Sequence, residues 1–507
     1  MNRPSRDSSA GQASLLYQRF AAQAARTPGA PALLAGARSL SHGDLAALVD
    51  TTTTQFRAQG LGSGSFIGWL GHNSPEMLAA LLACAQLGAV FVPLNWRLAA
   101  PELAAIARHA GLSALLGTPE LAALAGQVRA LAPPADPAGP AGPAASALPG
   151  DVMLVYTSGT TGEPKGAMHT QAGLLANIDT ALAVQGLTAV DRVLAVLPLF
   201  HVGGLCIQVL PALAVGAAVC LHARFDAAAW LQVVAHWQPS TSLLVPAVMK
   251  ALLAHPGWPG ADLRSLRFLN SGSQVVPVAL IEAFHARGVP MAQVYGSTET
   301  GPFSIALRPG EALARVGRVG RPAPGVRLKL ADATGAEVAP GEVGEICLQA
   351  PNLMRGYHRL PAGAGFVGGW FTTGDLAHAD ADGFVTVVGR SHDVIISGGE
   401  NIHPAEIENL AATWPGVADA AVVGLPDARW GEVPVLVLVA HAGATVDLAA
   451  LQAHFDARLA RYKHPQRTVL VDALPRTALG KVQKAALAAA LAAALRAGAQ
   501  LAVPPGQ

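Results

Sequence analysis

The sequence has few charged residues and almost no excess of either sign. Asp, Glu, Lys and Arg make up 13% of the 507 residues, and 34 basic against 33 acidic residues leave a net charge of +1. Because binding to nucleic acid or to an anionic membrane depends on a basic excess, the composition predicts neither partner. Hydrophobic residues reach 51%, which excludes a disordered chain, since that class combines low hydrophobicity with high net charge.

Cysteine is also scarce. The four cysteines (Cys84, Cys206, Cys220 and Cys347) lie far apart and form no Cys-x-x-Cys pair. This spacing excludes a disulfide framework and the usual zinc motifs, and it is typical of a reducing compartment. The first residues, MNRPSRDSSAGQAS, contain no apolar segment of the kind found in secretory signals. We therefore predict a cytoplasmic protein.

Two uncharged runs, Met77–Pro93 and Gly203–Leu221, approach the length of a membrane span. The first predicts a helix followed by a short strand, and the second is interrupted by Pro211 and Gly216. Buried elements of a large α/β core produce the same pattern. We therefore expect no stable membrane insertion.

Ala/Leu-rich helical stretches alternate with short apolar runs, a pattern typical of βαβ units. The runs are Phe66–Leu70, Ala89–Val92, Val152–Tyr156, Val193–Leu197, Ala218–Leu221, Thr241–Val245 and Leu266–Leu269. They predict an α/β fold with a large N-terminal domain of layered sheets, residues 1–391, and a small α+β C-terminal domain, residues 392–507. Within the first domain we predict a Pro/Ala/Gly-rich loop at 131–150 and a small β subdomain at about 315–390.

A run of hydroxyl and glycine residues follows the apolar strand at Val152–Tyr156. Hydroxyl groups and exposed backbone amides suit an anion, and glycine allows it to approach closely. The run is not a Walker loop, because Pro164 stands where the second glycine belongs. A flexible surface loop is the alternative. We predict a phosphate-binding loop formed by Thr157, Ser158, Gly159, Thr160, Thr161, Gly162 and Lys165.

Six motifs follow one another along the chain. They are YTSGTTGEPKG at 156–166, PLFHVGG at 198–204, YGSTE at 295–299, TGD at 373–375, GRSHDVIISGGENIHPAEIE at 389–408 and PRTALGK at 475–481. With them the sequence resembles the adenylate-forming superfamily of acyl-CoA synthetases, adenylation domains and luciferases. The first 150 residues fit less specifically. The resemblance implies ATP-dependent conversion of a carboxylic acid to an acyl-adenylate, followed by transfer of the acyl group to CoA.

The resemblance also implies catalytic roles. Lys481 would bridge the carboxylate and the α-phosphate, and His201 would line the carboxylate pocket. Glu299 would hold Mg²⁺, with Thr298 beside the phosphates and Thr161 as a second oxygen donor; one carboxylate is enough for a cation that retains waters. The structural alternatives are a surface charge for Lys481 and a core residue for His201.

Further positions would bind the nucleotide and CoA. Tyr295 would lie against the adenine, Asp375 would accept hydrogen bonds from the ribose hydroxyls, and Arg390 would support the ribose. A turn residue and a surface salt bridge are the alternatives for Asp375 and Arg390. The remaining cofactor-binding positions are Ser273, Gln274, Gly296, Gly398 and Gly399, the last two at the thiol channel.

Positions that resemble the acyl-pocket wall are mostly apolar: His201, Val202, Gly203, Ser273, Val294, Pro302 and Phe303. Malonate-specific relatives have an arginine where this chain has Val294, and a second carboxylate without a partner would be costly. We therefore expect a monocarboxylic acid that is medium-chain, branched or aromatic. The C-terminal domain of the family rotates between the half reactions about a hinge, here His392, where Asp or Lys is more usual.

Three functions remain open on the sequence alone. An acid–CoA ligase is favoured, because the segment after residue 484 is too short for a carrier domain. An adenylation enzyme that loads a separate carrier protein shares every motif. A non-catalytic binding protein is disfavoured by the presence of Lys481, Glu299, Asp375 and Arg390 together. As partners we expect a carboxylic acid, ATP and CoA, with the protein a monomer or a homodimer.

Overall fold

A computed structural model gives the fold. It describes residues 15–132, 147–157, 165–273, 275–397, 400–427, 429–456, 458–477 and 480–496. Within these ranges the strands form four sheets, of nine, six, five and five strands. The first two sheets make up most of the N-terminal part, the third is a small antiparallel sheet, and the fourth belongs to the C-terminal part.

The two large sheets are mostly parallel at their centres. In spatial order the nine-stranded sheet contains Arg321–Pro322, Ile305–Ala306, Met291–Tyr295, Leu269–Gly272, Thr241–Leu244, Arg192–Ala195, Ala218–Leu221, Pro31–Ala35 and Arg38–Ser41. The six-stranded sheet contains Gly356–Tyr357, Lys165–Thr170, Asp151–Thr157, Val90–Pro93, Phe66–Leu70 and Ala114–Gly117.

The two smaller sheets follow along the chain. The small antiparallel sheet contains Arg327–Ala331, Gly344–Gln349, Trp370–Ala379 and Phe366–Val367, with Val385–Arg390 also paired to Trp370–Ala379. The C-terminal sheet contains Glu400–Ile402, Ile395–Ser397, Gly431–Ala440 and Val417–Asp427, with Arg467–Leu470 paired to Gly431–Ala440.

Helices connect and cover the strands. The α-helices are Leu15–Arg26, His42–Ala58, Pro75–Leu87, Ala100–Ala110, Ala122–Leu131, Gln171–Gln185, Val202–Gly204, Leu210–Val215, Ala227–Trp237, Pro246–Ala254, Val278–His285, Pro404–Ala411, Leu448–Asp456 and Lys484–Arg496. Leu205–Val209 forms a π-helical turn. The 3₁₀ turns are Pro119–Leu121, Pro309–Glu311, Ser391–Asp393 and Arg461–Lys463.

The helix Pro75–Leu87 shows why an uncharged run belongs to the core. Ser74 caps its first turn by accepting a hydrogen bond from the Met77 amide at 3.3 Å, and Gly88 ends it in the left-handed conformation. Most of its side chains are buried, in an apolar cluster that also contains residues of both large sheets. The helix thus packs between two sheets. No helix in the described ranges is long and apolar enough to cross a membrane.

The architecture agrees with the predicted α/β class: layered sheets, a small β subdomain and a C-terminal α+β unit. Two bounds differ in detail. The small sheet begins at Arg327, while Arg321–Pro322 joins the nine-stranded sheet and Gly356–Tyr357 joins the six-stranded one. Leu131, predicted in a loop, ends a helix, and most of 131–150 lies outside the described residues.

All four cysteines are buried and free. Burial raises the pKa of each thiol, to about 12 at Cys206 and about 11 at Cys220. Since the thiolate is the reactive form, these side chains are chemically inert packing residues.

Candidate active site

The predicted phosphate loop begins at the end of an antiparallel pair. Thr157 lies opposite Lys165 in the register of the two strands. A Cβ at Gly166 would come within 2.8 Å of a Leu154 methyl and 3.2 Å of the Tyr156 ring, so a larger residue would have to displace the Leu154 side chain. The predicted residues Ser158, Gly159, Thr160, Thr161 and Gly162 lie outside the described residues, and their role stays a prediction.

Glu299 is held in place on both its side chain and its backbone. Tyr357 donates its hydroxyl to Glu299 Oε1 at 3.0 Å, and the Met354 amide donates to the Glu299 carbonyl at 2.7 Å. The neighbouring Thr298 backbone makes a hydrogen bond with His169, whose pKa burial lowers to about 4. A neutral imidazole and a phenol thus fix the loop that presents Thr298 and Glu299.

Asp375 lies on the small sheet, directly opposite Arg390 in the strand register. Arg390 Nε is 2.8 Å from Asp375 Oδ1, and the Tyr295 hydroxyl donates to Oδ2 at 2.7 Å. Burial and the neighbouring carboxylate raise the Tyr295 pKa well above its ordinary value. Each carboxylate oxygen has a second lone pair, so Asp375 can also accept the ribose hydroxyls predicted for it.

Lys481 reaches this cluster from the C-terminal part of the chain. It lies in a turn in which Thr477 donates its amide to the Lys481 carbonyl at 2.8 Å and accepts the Lys481 amide on Oγ1 at 3.2 Å. Burial among protein groups and the Arg390 charge lower the Lys481 pKa, while Asp375 and Glu299 act in the opposite sense. The residue as a whole is nevertheless exposed to solvent. Lys481 therefore meets these charges at the solvent-exposed edge of the cluster.

His201 lies at the start of the helical turn Val202–Gly204. Burial, with the charges of Arg97 and Lys481, lowers its pKa to about 3. Its Nε2 is buried and has no hydrogen-bond partner among the described residues. His201 is consequently a neutral imidazole with one nitrogen available to a ligand, on the side of the site that Lys481 also reaches.

Of the predicted acyl wall, Val202, Val294, Pro302 and Phe303 are buried, His201 and Gly203 are partly buried, and Ser273 is exposed. The Cβ of a side chain at Gly203 would lie 3.7 Å from Ser273 Oγ, an ordinary contact, so Gly203 leaves space at this point. At Gly296 a Cβ would approach the Pro302 carbonyl to 2.1 Å, which only glycine avoids. Val294 is 3% exposed and Phe303 fully buried. Gln274 lies outside the described residues.

Sequence reasoning missed three residues beside the site: Arg97, His169 and Tyr357. The Arg97 guanidinium carbon is 5.1 Å from the Trp96 ring centroid and 5.9 Å from that of Phe200. Arg97 follows the strand Val90–Pro93 closely, and residues just beyond the carboxyl ends of parallel strands often line a ligand site. That position was the available signal. His169 and Tyr357 act through contacts that no local pattern indicates.

The predicted hinge follows Arg390, the residue predicted to support the ribose. Residues Ser391–Asp393 form a 3₁₀ turn between the small sheet and the C-terminal sheet. The side chain of His392 and both Gly398 and Gly399 lie outside the described residues. The hinge and the thiol-channel assignments stay predictions, as does the domain boundary at 392.

The family model "AMP-binding enzyme" matches residues 20–358, and "AMP-binding enzyme C-terminal domain" matches residues 406–481. The chain belongs to the AMP-binding enzyme family. It is an adenylate-forming ligase, as its motifs predicted, and both the α/β fold class and the enzyme class are confirmed.

Several similar proteins align with almost the whole length of this ligase. This chain is 44% identical over 480 residues to an indoleacetate–CoA ligase from Aromatoleum aromaticum, and the alignment covers 90% of this chain and 94% of the relative. It is 41% identical over 472 residues to a feruloyl-CoA synthase from an Amycolatopsis species, covering 91% and 96%. A crystal structure of an anthranilate–CoA ligase with anthranoyl-AMP superimposes with a TM-score of 0.87 at 27% identity, covering 94% and 98%.

Proposed function

We propose that this ligase activates an aromatic monocarboxylic acid with ATP and transfers the acyl group from the adenylate to CoA. The observation that carries the proposal is the convergence of Lys481 with Glu299, Asp375 and Arg390, beside the neutral His201. The similar proteins named above, an indoleacetate–CoA ligase and a feruloyl-CoA synthase, support an aromatic acid as substrate.

The first half reaction requires two anions to approach each other. A carboxylate oxygen attacks the α-phosphorus, and pyrophosphate leaves with the electrons of the broken bond. Catalysis then depends on positioning and on neutralising charge. Lys481 supplies a cation between the carboxylate and the α-phosphate. His201 supplies a hydrogen bond without a charge, since burial lowers its pKa and keeps the imidazole neutral near pH 7.

The ribose end is prepared by the pair Asp375 and Arg390. Their ion pair and the hydrogen bond from Tyr295 fix the carboxylate before the nucleotide arrives. A fixed acceptor loses little freedom on binding, so this arrangement favours affinity.

The described residues provide one carboxylate, that of Glu299, as a protein ligand for magnesium. Tyr357 donates a hydrogen bond to one oxygen of the Glu299 carboxylate, and no hydrogen bond or ion pair from the described residues reaches the other oxygen. The described residues contain no group of three His, Cys, Asp or Glu side chains that could hold a metal alone. Both facts suit a cation held mainly by the triphosphate, with Glu299 as the protein ligand and Thr161 as a further donor. When bound, the ion would neutralise the phosphate charge.

The wall of the acyl pocket favours an apolar acid. Val202, Val294 and Phe303 are buried carbon surfaces, and a Cβ at Gly203 would meet no atom closer than 3.7 Å. The acceptor we propose is CoA, since the named relatives are CoA ligases and synthases. They do not favour the alternative in which a carrier protein accepts the acyl group.

The test is an acid screen with pyrophosphate release measured with and without CoA. We expect indole-3-acetate, phenylacetate and ferulate to give higher kcat/KM than octanoate, and malonate to give none above background. Thioester formation should require free CoA. A preference for octanoate or malonate would contradict the aromatic assignment, and acyl transfer only to a carrier protein would contradict the acceptor.

A further inference from the structure

One lysine of the large N-terminal part contacts the C-terminal sheet. Lys250 lies in the helix Pro246–Ala254, which follows a central strand of the nine-stranded sheet. Its Nζ donates to the Ala418 carbonyl at 2.9 Å and lies 3.3 Å from Asp419 Oδ1. Both acceptors belong to the strand Val417–Asp427. The contact therefore joins the N-terminal part to the C-terminal part, which the resemblance to the family predicts to rotate between the half reactions.

A β-bulge places the carbonyl that Lys250 uses. Val417 pairs with Ala440 and Asp419 with Val439, so Ala418 is an extra residue in its strand. An extra residue is left out of the ladder and changes the direction of the strand locally. Its carbonyl accepts a hydrogen bond from the Lys250 ammonium, and charge-assisted bonds of this kind are stronger than neutral ones.

Asp419 continues the connection toward the catalytic lysine. Its second oxygen, Oδ2, accepts a hydrogen bond from Arg476, and Arg476 in turn donates to the Gly480 carbonyl. The backbone of Arg476 also pairs with that of Val482 in an isolated antiparallel β-bridge. These contacts hold the base of the turn that presents Lys481, so an unbroken series of polar contacts runs from Lys250 to the residue before Lys481.

We propose that Lys250 and Asp419 are positioning residues for the adenylation step. Lys250 docks the C-terminal sheet, and Asp419, shared between Lys250 and Arg476, aligns the Lys481 turn with the site. The inference rests on the function proposed above, because it assigns the two residues to one of its half reactions. Rotation of the C-terminal part would break the Lys250 contact, so the contact favours adenylation and contributes nothing to thioester formation.

The test separates the half reactions in the full-length protein. In Lys250→Ala we expect kcat of acyl-adenylate formation to fall about tenfold, or about 1.4 kcal/mol. KM for ATP and acid should change little, since no substrate contact is removed. CoA transfer from supplied acyl-adenylate should remain at the wild-type rate. Lys250→Arg keeps the charge and donors and should restore most of the adenylation rate.

A matched control comes from another ion pair of the same domain. Arg264 pairs with Asp262 at 2.5 Å and its side chain is 91% exposed, so Arg264→Ala should leave both half reactions unchanged. Asp419→Asn should reduce kcat of acyl-adenylate formation about as much as Lys250→Ala does. In the double variant the fold-reduction of kcat should be smaller than the product of the two single reductions, because the two residues share one contact.

Three outcomes would overturn the proposal: unchanged adenylation in Lys250→Ala, an equal loss of both half reactions, or no rescue by arginine. Thermal melts of each variant identify misfolding, and if Asp419→Asn misfolds, the two Lys250 variants decide alone. Failure of the proposed function is distinguishable, because then the wild-type protein itself would form no adenylate from the aromatic acids.

Discussion

At the scale of single residues, the site combines fixed acceptors with one cation that arrives from elsewhere in the chain. Asp375 is oriented by Tyr295 and Arg390, and Glu299 by Tyr357. Lys481 is held instead by its own turn, and it approaches these groups only through the placement of the C-terminal part. The rotation predicted for the C-terminal part would therefore withdraw this cation between the two steps.

Lys481→Ala should abolish adenylation of the free acid and spare CoA transfer from supplied acyl-adenylate. The lysine charge is needed only while two anions approach, and its loss should cost on the order of 10²–10³ in rate or more. The measurement is pyrophosphate release beside single-turnover transfer from synthetic adenylate.

The control for this prediction is Lys484→Ala. Lys484 pairs with Glu408 at 2.8 Å within the C-terminal part, and removing it should leave adenylation largely intact. A folded, ATP-binding Lys481→Ala protein that loses both half reactions would contradict the one-step role.

We predict that Val294 sets the acid preference. Val294→Gly should broaden turnover toward bulkier aromatic acids, because it removes a side chain from a buried wall and opens volume. Val294→Arg should weaken turnover of every apolar acid, since it brings an unpaired charge into that wall. The measurement is kcat/KM across the acid panel. Val289→Ala, a buried valine just before the same strand, is the control, and identical profiles in all variants would show that residue 294 does not face the acid.

At the scale of elements, apolar runs predicted the strands Phe66–Leu70 and Ala218–Leu221 with their observed bounds. One strand was displaced: the run Leu266–Leu269 was predicted, and the strand is Leu269–Gly272. The centre of this strand consists of two polar residues, Asn270 and Ser271. They can be buried because Asn270 accepts a hydrogen bond from buried Gln208 at 2.9 Å and Ser271 donates to the Leu244 carbonyl at 3.0 Å. A search for apolar runs detects strands made of buried apolar residues. It does not detect buried polar residues whose hydrogen-bond partners are distant in sequence.

The turn Ser391–Asp393 is the element we expect to absorb the rotation. His392→Pro should reduce thioester formation from the free acid while adenylation survives, because proline fixes φ and removes the dihedral freedom of a hinge. His392→Lys should keep both activities. Adenylate accumulation and thioester yield, measured in one reaction, check the prediction, and an equal fall in both would place the hinge elsewhere.

At the scale of the whole molecule, the order of the motifs predicted the fold class, the enzyme class and most of the candidate site. It could not predict Arg97 beside His201, or Lys250 against Ala418 and Asp419, residues that lie far apart in sequence. Such contacts depend on how two parts of the chain are placed and on how far a side chain reaches. Short motifs identify the residues that carry the chemistry of a site. The contacts that align the two domains are made by residue pairs distant in sequence, and only the three-dimensional structure shows which residues pair.

The burial of all four thiols has a practical consequence for an experiment that tests the predicted rotation of the C-terminal part. Cys84, Cys206, Cys220 and Cys347 are buried with raised pKa values, so maleimide dyes should leave the folded wild-type protein almost unlabelled. A pair of cysteines introduced at exposed positions of the two domains could then be labelled with donor and acceptor fluorophores, and the four native cysteines would not have to be replaced first. Energy transfer between them would report, in real time, when each substrate turns the C-terminal part.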